Sequence, residues 1–122
     1  PGLKVGRYHH LGEQTDPDKL DREPHRRDEE VLRSFVELYL PEAAGPTMAL
    51  KACMFTNSPD EHFIIGRHPQ YAQVSLAAGF SGHGFKFCSL VGEVLADLAH
   101  KGETAHDISM FDPTRFSPQS NT

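Results

Sequence analysis

The sequence has few cysteines, no long apolar run and no cluster of basic residues, and each of these absences excludes a class of protein. Its two cysteines, Cys53 and Cys88, are too few for a disulfide scaffold, and their spacing is not that of a zinc site. No apolar segment reaches the roughly 18 residues that a membrane-spanning helix requires. The net charge is −5 and no basic block is present, which argues against nucleic acid, because phosphate binding needs clustered Lys and Arg.

The remaining composition gives expectations for size and location. With 122 residues, of which 24% are charged and 38% hydrophobic, the chain has the composition of one globular domain. The N-terminus has no long apolar segment of the signal-peptide type and cysteine is scarce, so we expect a cytoplasmic protein. Because the sequence opens at Pro1 inside an alternating pattern, we expect a fragment of a longer protein. Such a fragment exposes strand edges, and we therefore expect a homo-oligomer or a swapped dimer.

The periodicity of the apolar residues predicts an α+β fold of mixed strands with two helices. Alternation predicts four strands, over residues 3–10, 47–56, 62–66 and 73–79. A turn separates the second strand from the third, and these two strands are therefore predicted to form a hairpin across residues 47–66.

Helical spacing predicts a first helix over residues 27–40, with acidic residues in its first turn, where they suit the helix dipole. A second helix is predicted from about residue 83, and it completes a unit of strand, glycine turn and helix over residues 73–100. Residues 1–112 are assigned to the folded domain on this pattern. The last residues, 113–122, are rich in Pro and Ser and are predicted to be a flexible tail.

The most informative segment is the glycine turn between the fourth strand and the second helix, which contains Gly79, Gly82 and Gly84. Glycine allows a positive φ and lets a ligand approach the backbone closely. The N–H groups at the start of the following helix favour an electron-rich ligand atom. His83 and the cationic Lys86 lie in the same turn. The segment therefore predicts a cradle for an anion or for the edge of a cofactor.

Two longer segments carry a family resemblance. Residues 51–63, KACMFTNSPDEHF, and residues 78–87, AGFSGHGFKF, resemble the C-terminal part of monomeric sarcosine oxidase, and they are similar to N-methyltryptophan oxidase and pipecolate oxidase. These enzymes are flavoproteins with the D-amino-acid oxidase type of fold. The resemblance extends over about residues 2–111 and implies that the chain is the C-terminal fragment of an FAD-dependent amine oxidase. The dinucleotide-binding unit of that fold, with its Gly-rich fingerprint, is missing from this sequence.

The resemblance implies an oxidase that converts a secondary or N-methyl amino acid to an imine and produces hydrogen peroxide. Its partners would be a small amino acid and oxygen, with no nucleic acid and no membrane. The isolated chain is expected to be inactive and to lack FAD, because most of the cofactor's binding surface lies elsewhere. The alternative interpretation is a non-catalytic binding or interaction domain derived from such an oxidase.

The resemblance also implies roles for four residues outside the glycine turn. Cys53, followed by Met54, matches the cysteine that binds FAD covalently, and both residues are assigned to the cofactor site. Lys4 matches a catalytic lysine that activates oxygen, since a cation near the flavin stabilises the negative charge that develops on oxygen. His9 matches an active-site histidine. Arg7 is an insertion before this position, and because a shift by one residue reverses the faces of a strand, His10 competes for the role.

Within the glycine turn, the resemblance implies that Lys86 binds the carboxylate of the substrate and also borders the cofactor. The other residues assigned to the cofactor are Phe80, Gly82, His83 and Gly84. Cys88 is interpreted as a packing residue of the second helix. The remaining histidines do not have the spacing of a metal site and are interpreted as structural or solvated, so no metal is expected. They are His25, His62, His68, His100 and His106.

Overall fold

The computed structural model describes residues 2–116, which belong to two compact units, Pro1–Met54 and Phe55–Thr122. The first unit contains one α-helix and several short 3-10 turns. The second unit contains a two-stranded sheet, one α-helix and further 3-10 turns. Among the described residues, no helix combines the length and the apolar character needed to cross a membrane.

The helix of the first unit, α1, runs over Arg26–Tyr39 and confirms the predicted helix. Asp28 stabilises its start, because the carboxylate accepts a hydrogen bond of 2.7 Å from the backbone N–H of His25. The helix ends before Pro41, and the N–H of Leu40 donates to the carbonyl of Val36 at 2.7 Å. Of the described apolar side chains in this unit, Val36 alone is buried, so the unit has little hydrophobic core of its own.

Two of the four predicted strands are wrong. Residues 2–7 and 44–56 have no regular secondary structure, and a 3-10 turn at His10–Gly12 replaces the end of the first predicted strand. The hairpin predicted across residues 47–66 therefore does not form. The physical reason is that alternation specifies the two faces of a strand but not its hydrogen-bonded neighbour. Within the described residues, neither segment lies in a ladder with another strand.

The other two predicted strands are present and pair with each other. Strand β1 (Ile64–Arg67) and strand β2 (Ser75–Ala78) are antiparallel, with Ile64 opposite Ala78 and Arg67 opposite Ser75. An isolated bridge between Asn57 and Phe80 continues the pairing beyond the strands. The α+β class is thus correct, with two strands in place of four.

Helix α2 runs over Cys88–His100 and covers one face of this sheet. Its first α-helical residue is Cys88, later than predicted, because a 3-10 turn at Phe85–Phe87 comes before it. The helix ends where Gly102 takes a φ of +79° and donates its N–H to the carbonyl of Leu98. The core between helix and sheet consists of buried Phe63, Ile65, Val94 and Leu98.

The predicted tail begins with ordered structure. Pro113–Phe116 form a 3-10 helix, and the guanidinium of Arg115 makes two hydrogen bonds to the carboxylate of Asp60, at 2.9 and 3.0 Å. Pro113 packs so closely on β1 that a Cβ on Gly66 would lie 2.7 Å from its Cδ, which explains the glycine. The rest of the predicted tail, residues 117–122, lies outside the described residues.

Candidate functional site

The turn between β2 and α2, residues 79–87, has an unusual backbone. Gly79, Ser81 and Gly82 have φ angles of +60°, +48° and +78°. Ser81 is only 1% exposed, and its hydroxyl donates to the carbonyl of Gly79 at 3.1 Å and accepts the N–H of Ser58 at 3.3 Å. A left-handed serine persists only where its surroundings hold it, and these two bonds do so. The role of Ser81 was not predicted from the sequence, although its place between closely spaced glycines was an available signal.

Two glycines of the turn have backbone N–H donors for which the described residues offer no acceptor. The N–H of His83 bonds to the carbonyl of Phe80 at 3.0 Å, and the N–H of Phe87 bonds to that of Gly84 at 2.9 Å. The N–H groups of Gly82 and Gly84 make no hydrogen bond to any residue in the range 2–116. Because backbone donors are normally paired, these two N–H groups are available to an electron-rich atom of a ligand.

Both glycines are also required by aromatic rings beneath the turn. A Cβ on Gly82 would lie 2.7 Å from Cδ2 of Phe55, and a Cβ on Gly84 would lie 2.5 Å from Cδ1 of Phe80. The ring of Phe80 in turn packs at 5.0 Å from that of Phe63, centroid to centroid. Phe80, assigned to the cofactor from the sequence, therefore also supports the turn from within the core. The role of Phe55 was not predicted, since it comes from a segment distant in sequence.

The side chains of His83 and Lys86, also in the turn, differ in their surroundings. The ring of His83 lies 4.9 Å from that of Phe63, and its Nε2 donates to the carbonyl of Glu61 at 3.3 Å. Because a carbonyl only accepts, Nδ1 of the neutral ring remains an acceptor. Lys86 is exposed, and its ammonium lies 5.5 Å from the ring centroid of Phe87. Within residues 2–116 Lys86 makes no ion pair, so its charge is available to an anion.

The remaining candidates lie in the first unit. Lys4 is exposed in the irregular segment 2–7 and makes no ion pair with a described residue. Cys53 and Met54 are exposed as well, and the Cys53 thiol lies 3.9 Å from the carbonyl of Met54. An exposed thiol is accessible for a covalent bond. Cys88 is also exposed, so its interpretation as a packing residue is wrong: the first residue of α2 lies outside the core.

The two neighbouring histidines have different contacts. His9 has a left-handed φ of 50°, and its ring meets that of Tyr8 edge-on at 4.2 Å. Nε2 of His10 lies 2.8 Å from Oδ1 of Asp28. The pKa of Asp28 lies below its usual range, because its carboxylate accepts the backbone N–H of His25 and, second, the ring of His10. The contact with Asp28 occupies His10, and His9 remains the candidate for the site.

The structure thus groups the candidates in two sets. Phe80, Gly82, His83, Gly84 and Lys86 share one turn of the second unit, whereas Lys4, His9, Cys53 and Met54 belong to the first. No group of three or more His, Cys, Asp or Glu side chains in residues 2–116 could hold a metal ion.

Comparison with known proteins identifies the class of protein. The sequence model described as FAD dependent oxidoreductase matches residues 2–98, and the chain belongs to this family. The chain is 54% identical over 116 residues to monomeric sarcosine oxidase from Bacillus sp. (strain NS-129), covering 93% of this chain and 30% of that protein. It is 38% identical over 117 residues to N-methyl-L-tryptophan oxidase from Yersinia pseudotuberculosis, covering 93% of this chain and 31% of that protein.

A solved structure agrees with these matches. The crystal structure of L-proline dehydrogenase from P. horikoshii matches this chain with a TM-score of 0.73 and 30% sequence identity. The match covers 82% of this chain and 27% of the dehydrogenase chain. The chain spans about 30% of the length of the curated relatives it matches. The resemblance stated from the sequence, and the fold class it implied, are therefore confirmed.

The residues present fit an FAD cofactor. Because the N–H groups of Gly82 and Gly84 have no acceptor within residues 2–116 and the ammonium of Lys86 makes no ion pair there, these donors suit the electron-rich edge of a flavin ring. The exposed thiol of Cys53 suits covalent attachment. The turn that carries these N–H groups has a left-handed backbone at Gly79, Ser81 and Gly82.

Proposed function

We propose that this chain is part of a cytoplasmic FAD-dependent oxidase that acts on secondary or N-methyl amino acids, such as sarcosine. The β2–α2 turn carries the proposal, because the N–H groups of Gly82 and Gly84 and the ammonium of Lys86 all lie in it and have no hydrogen-bond or ion-pair partner among the described residues. The family and the printed names of the two relatives support the reaction class and the N-methyl substrates.

FAD, when bound, would accept a hydride equivalent from the carbon next to the amine and pass the two electrons to oxygen, giving hydrogen peroxide. The resulting imine reacts with water, so that sarcosine, oxygen and water yield glycine, formaldehyde and hydrogen peroxide. The protein's task in this reaction is binding, orientation and electrostatics.

In this proposal, Lys86 binds the carboxylate of the amino acid and orients the amine. The N–H groups of Gly82 and Gly84 stabilise negative charge on the ring edge that they face. Lys4 stabilises the charge that develops on oxygen, and His9 contributes to the substrate site. Within residues 2–116, the ammonium groups of Lys4 and Lys86 make no ion pair and the N–H groups of Gly82 and Gly84 make no hydrogen bond, which supports their roles.

Cys53 is the proposed attachment point of FAD. Its Sγ would hold the cofactor as a thioether to the 8-methyl carbon of the flavin, with loss of one hydrogen from each, and oxygen would accept the two electrons and two protons. The exposure of the thiol supports this step, since a buried sulfur could not reach the cofactor.

The test is to purify the whole protein and measure its visible spectrum and its peroxide production. We expect flavin absorbance, and peroxide on addition of sarcosine or another N-methyl amino acid in the presence of oxygen. The chain of 122 residues, expressed alone, serves as the control and is expected to be colourless and inactive. A whole protein without flavin and without peroxide production would contradict the proposal and favour a non-catalytic binding domain.

A further inference from the structure

The backbone around His9 is held in an unfavourable conformation. His9 and Leu11 have φ angles of 50° and 52°, and Gly12 follows at 66°. For residues other than glycine, the left-handed region costs free energy, so it persists only where other contacts hold it. Two local hydrogen bonds contribute, from the N–H of Gly12 to the carbonyl of His9 at 3.0 Å and from Glu13 to His10 at 3.2 Å.

The first turn of α1 supplies two further contacts to this 9–13 loop. Asp28 lies 2.8 Å from Nε2 of His10, and Arg27 lies 3.0 Å from the carboxylate of Glu13. These partners are consecutive residues of the helix, and they hold the loop at two points. The contact between His10 and Asp28 is partly shielded, since their side chains are 31% and 23% exposed.

Asp28 is itself held by the helix. Its second oxygen, Oδ2, accepts the N–H of His25 at 2.7 Å, so the carboxylate cannot turn away from His10 without losing this bond. The position of the His10 ring is thereby tied to the backbone of α1. Because His9 precedes His10 directly, the same contact limits the conformations open to His9.

We propose that Asp28 and His10 are positioning residues, which fix the left-handed conformation of His9 and so hold its ring in the substrate site. The role of His9 rests on the proposed function, whereas the anchoring of the loop does not. We call the contact between His10 and Asp28 the anchor of the loop. In this assignment His10 has no other part in the reaction.

The first experiment measures amide hydrogen exchange of Gly12 and Glu13 by NMR in the full chain. Asp28→Ala and His10→Ala each remove the anchor, and we expect exchange at both amides to accelerate by at least about threefold. Asp28→Asn keeps an acceptor oxygen and should restore most of the protection. Glu30→Ala is the matched control, because this carboxylate of α1 pairs with Arg26 and not with the loop.

The second experiment measures, in the whole protein, the rate at which sarcosine reduces the flavin without oxygen. Asp28→Ala and His10→Ala should each lower the limiting rate by at least about threefold while changing the Kd for sarcosine less than twofold. The double variant should be no slower than either single variant, since both act through one contact. Glu30→Ala should match the unsubstituted protein.

The two experiments separate the possible failures. Unchanged exchange at Gly12 and Glu13 in both alanine variants would overturn the anchor. Faster exchange with an unchanged reduction rate would overturn the positioning role. The same conclusion would follow if Glu30→Ala slowed flavin reduction as much as Asp28→Ala and His10→Ala do. If the unsubstituted protein oxidised no amino acid, the proposed function would fail, and the exchange rates would still decide whether the anchor exists.

Discussion

Lys86 shows how a single residue carries functional information. It lies in the 3-10 turn that leads into α2, where a cation opposes the helix dipole, and it makes no ion pair with any residue of the described range. A cation at a position that the helix dipole disfavours suggests that its charge serves to bind a ligand. Lys101, at the other end of the same helix, is placed as helix stability favours, and it pairs with Asp97 at 2.8 Å.

The first prediction concerns this difference between the two lysines. In the whole protein, Lys86→Met should raise KM for sarcosine by about tenfold or more, because a charge-assisted contact with the carboxylate is lost. Lys101→Met is the control and should leave KM unchanged. Steady-state peroxide production measures both variants, and an equal KM in the two would argue that Lys86 is only a solvated lysine.

Lys4 carries the second prediction at the scale of the residue. Lys4→Met should slow the reoxidation of reduced flavin by oxygen by about tenfold or more, with little effect on reduction by the amino acid. Stopped-flow absorbance separates the two half-reactions. Slowing of both half-reactions by the same factor would contradict a specific role of Lys4 with oxygen. Lys51 is a second exposed lysine of the same unit, and Lys51→Met provides the comparison.

At the scale of the elements, the β2–α2 turn depends on rings packed beneath its glycines. Gly84→Ala should destabilise the protein by about 1–3 kcal/mol, because its φ suits alanine but the new Cβ would overlap the ring of Phe80. Gly92→Ala is the control. It lies in α2 with open space around it, so alanine should be neutral or stabilise the helix by up to about 1 kcal/mol. Urea unfolding measures both, and equal effects would refute the packing argument.

The pairing of Asp60 with Arg115 gives a prediction about acid stability. The hydrogen bonds from Arg115 hold the pKa of Asp60 far below its usual range. Because the folded pKa is lower than the unfolded value of about 4, this stabilisation is complete above that pH and is lost as the pH falls further. Thermal unfolding between about pH 6 and pH 2 should show that acid lowers the Tm of Arg115→Met by less than it lowers the Tm of the unsubstituted chain.

The matched control is Glu103→Gln, which removes an exposed carboxylate of the same unit. Its dependence on pH should follow that of the unsubstituted chain. If Arg115→Met also showed the same dependence, the ion pair would not contribute to acid stability. The pair joins residues 55 positions apart, so neither partner could be identified from the sequence.

The elements also show how much of the fold is readable from sequence. Both helices were predicted because helical periodicity is local, and β1 and β2 because short apolar runs end at turns. Residues 3–10 and 47–56 were wrongly predicted as strands, since a strand needs a neighbour that the pattern does not specify. The glycine turn was identified, but the left-handed Ser81 and the ring of Phe55 depend on contacts distant in sequence.

At the scale of the whole molecule, the chain divides into two compact units with different cores. The first unit buries Val36 alone among its described apolar side chains, whereas the second buries four that pack together. A small core contributes little stability, so contacts such as that of His10 with Asp28 matter more in the first unit. The candidate site residues are divided between the same two units.

The most direct test of the account is the mass of the peptide that contains Cys53, taken from the whole protein after denaturation and proteolysis. We predict a peptide carrying the mass of FAD less two hydrogens, with the adduct on the sulfur of Cys53. Cys53→Ala should abolish the adduct, and Cys88→Ala should preserve it. Complete release of free FAD from the unsubstituted protein, or an adduct that survives in Cys53→Ala, would contradict the account.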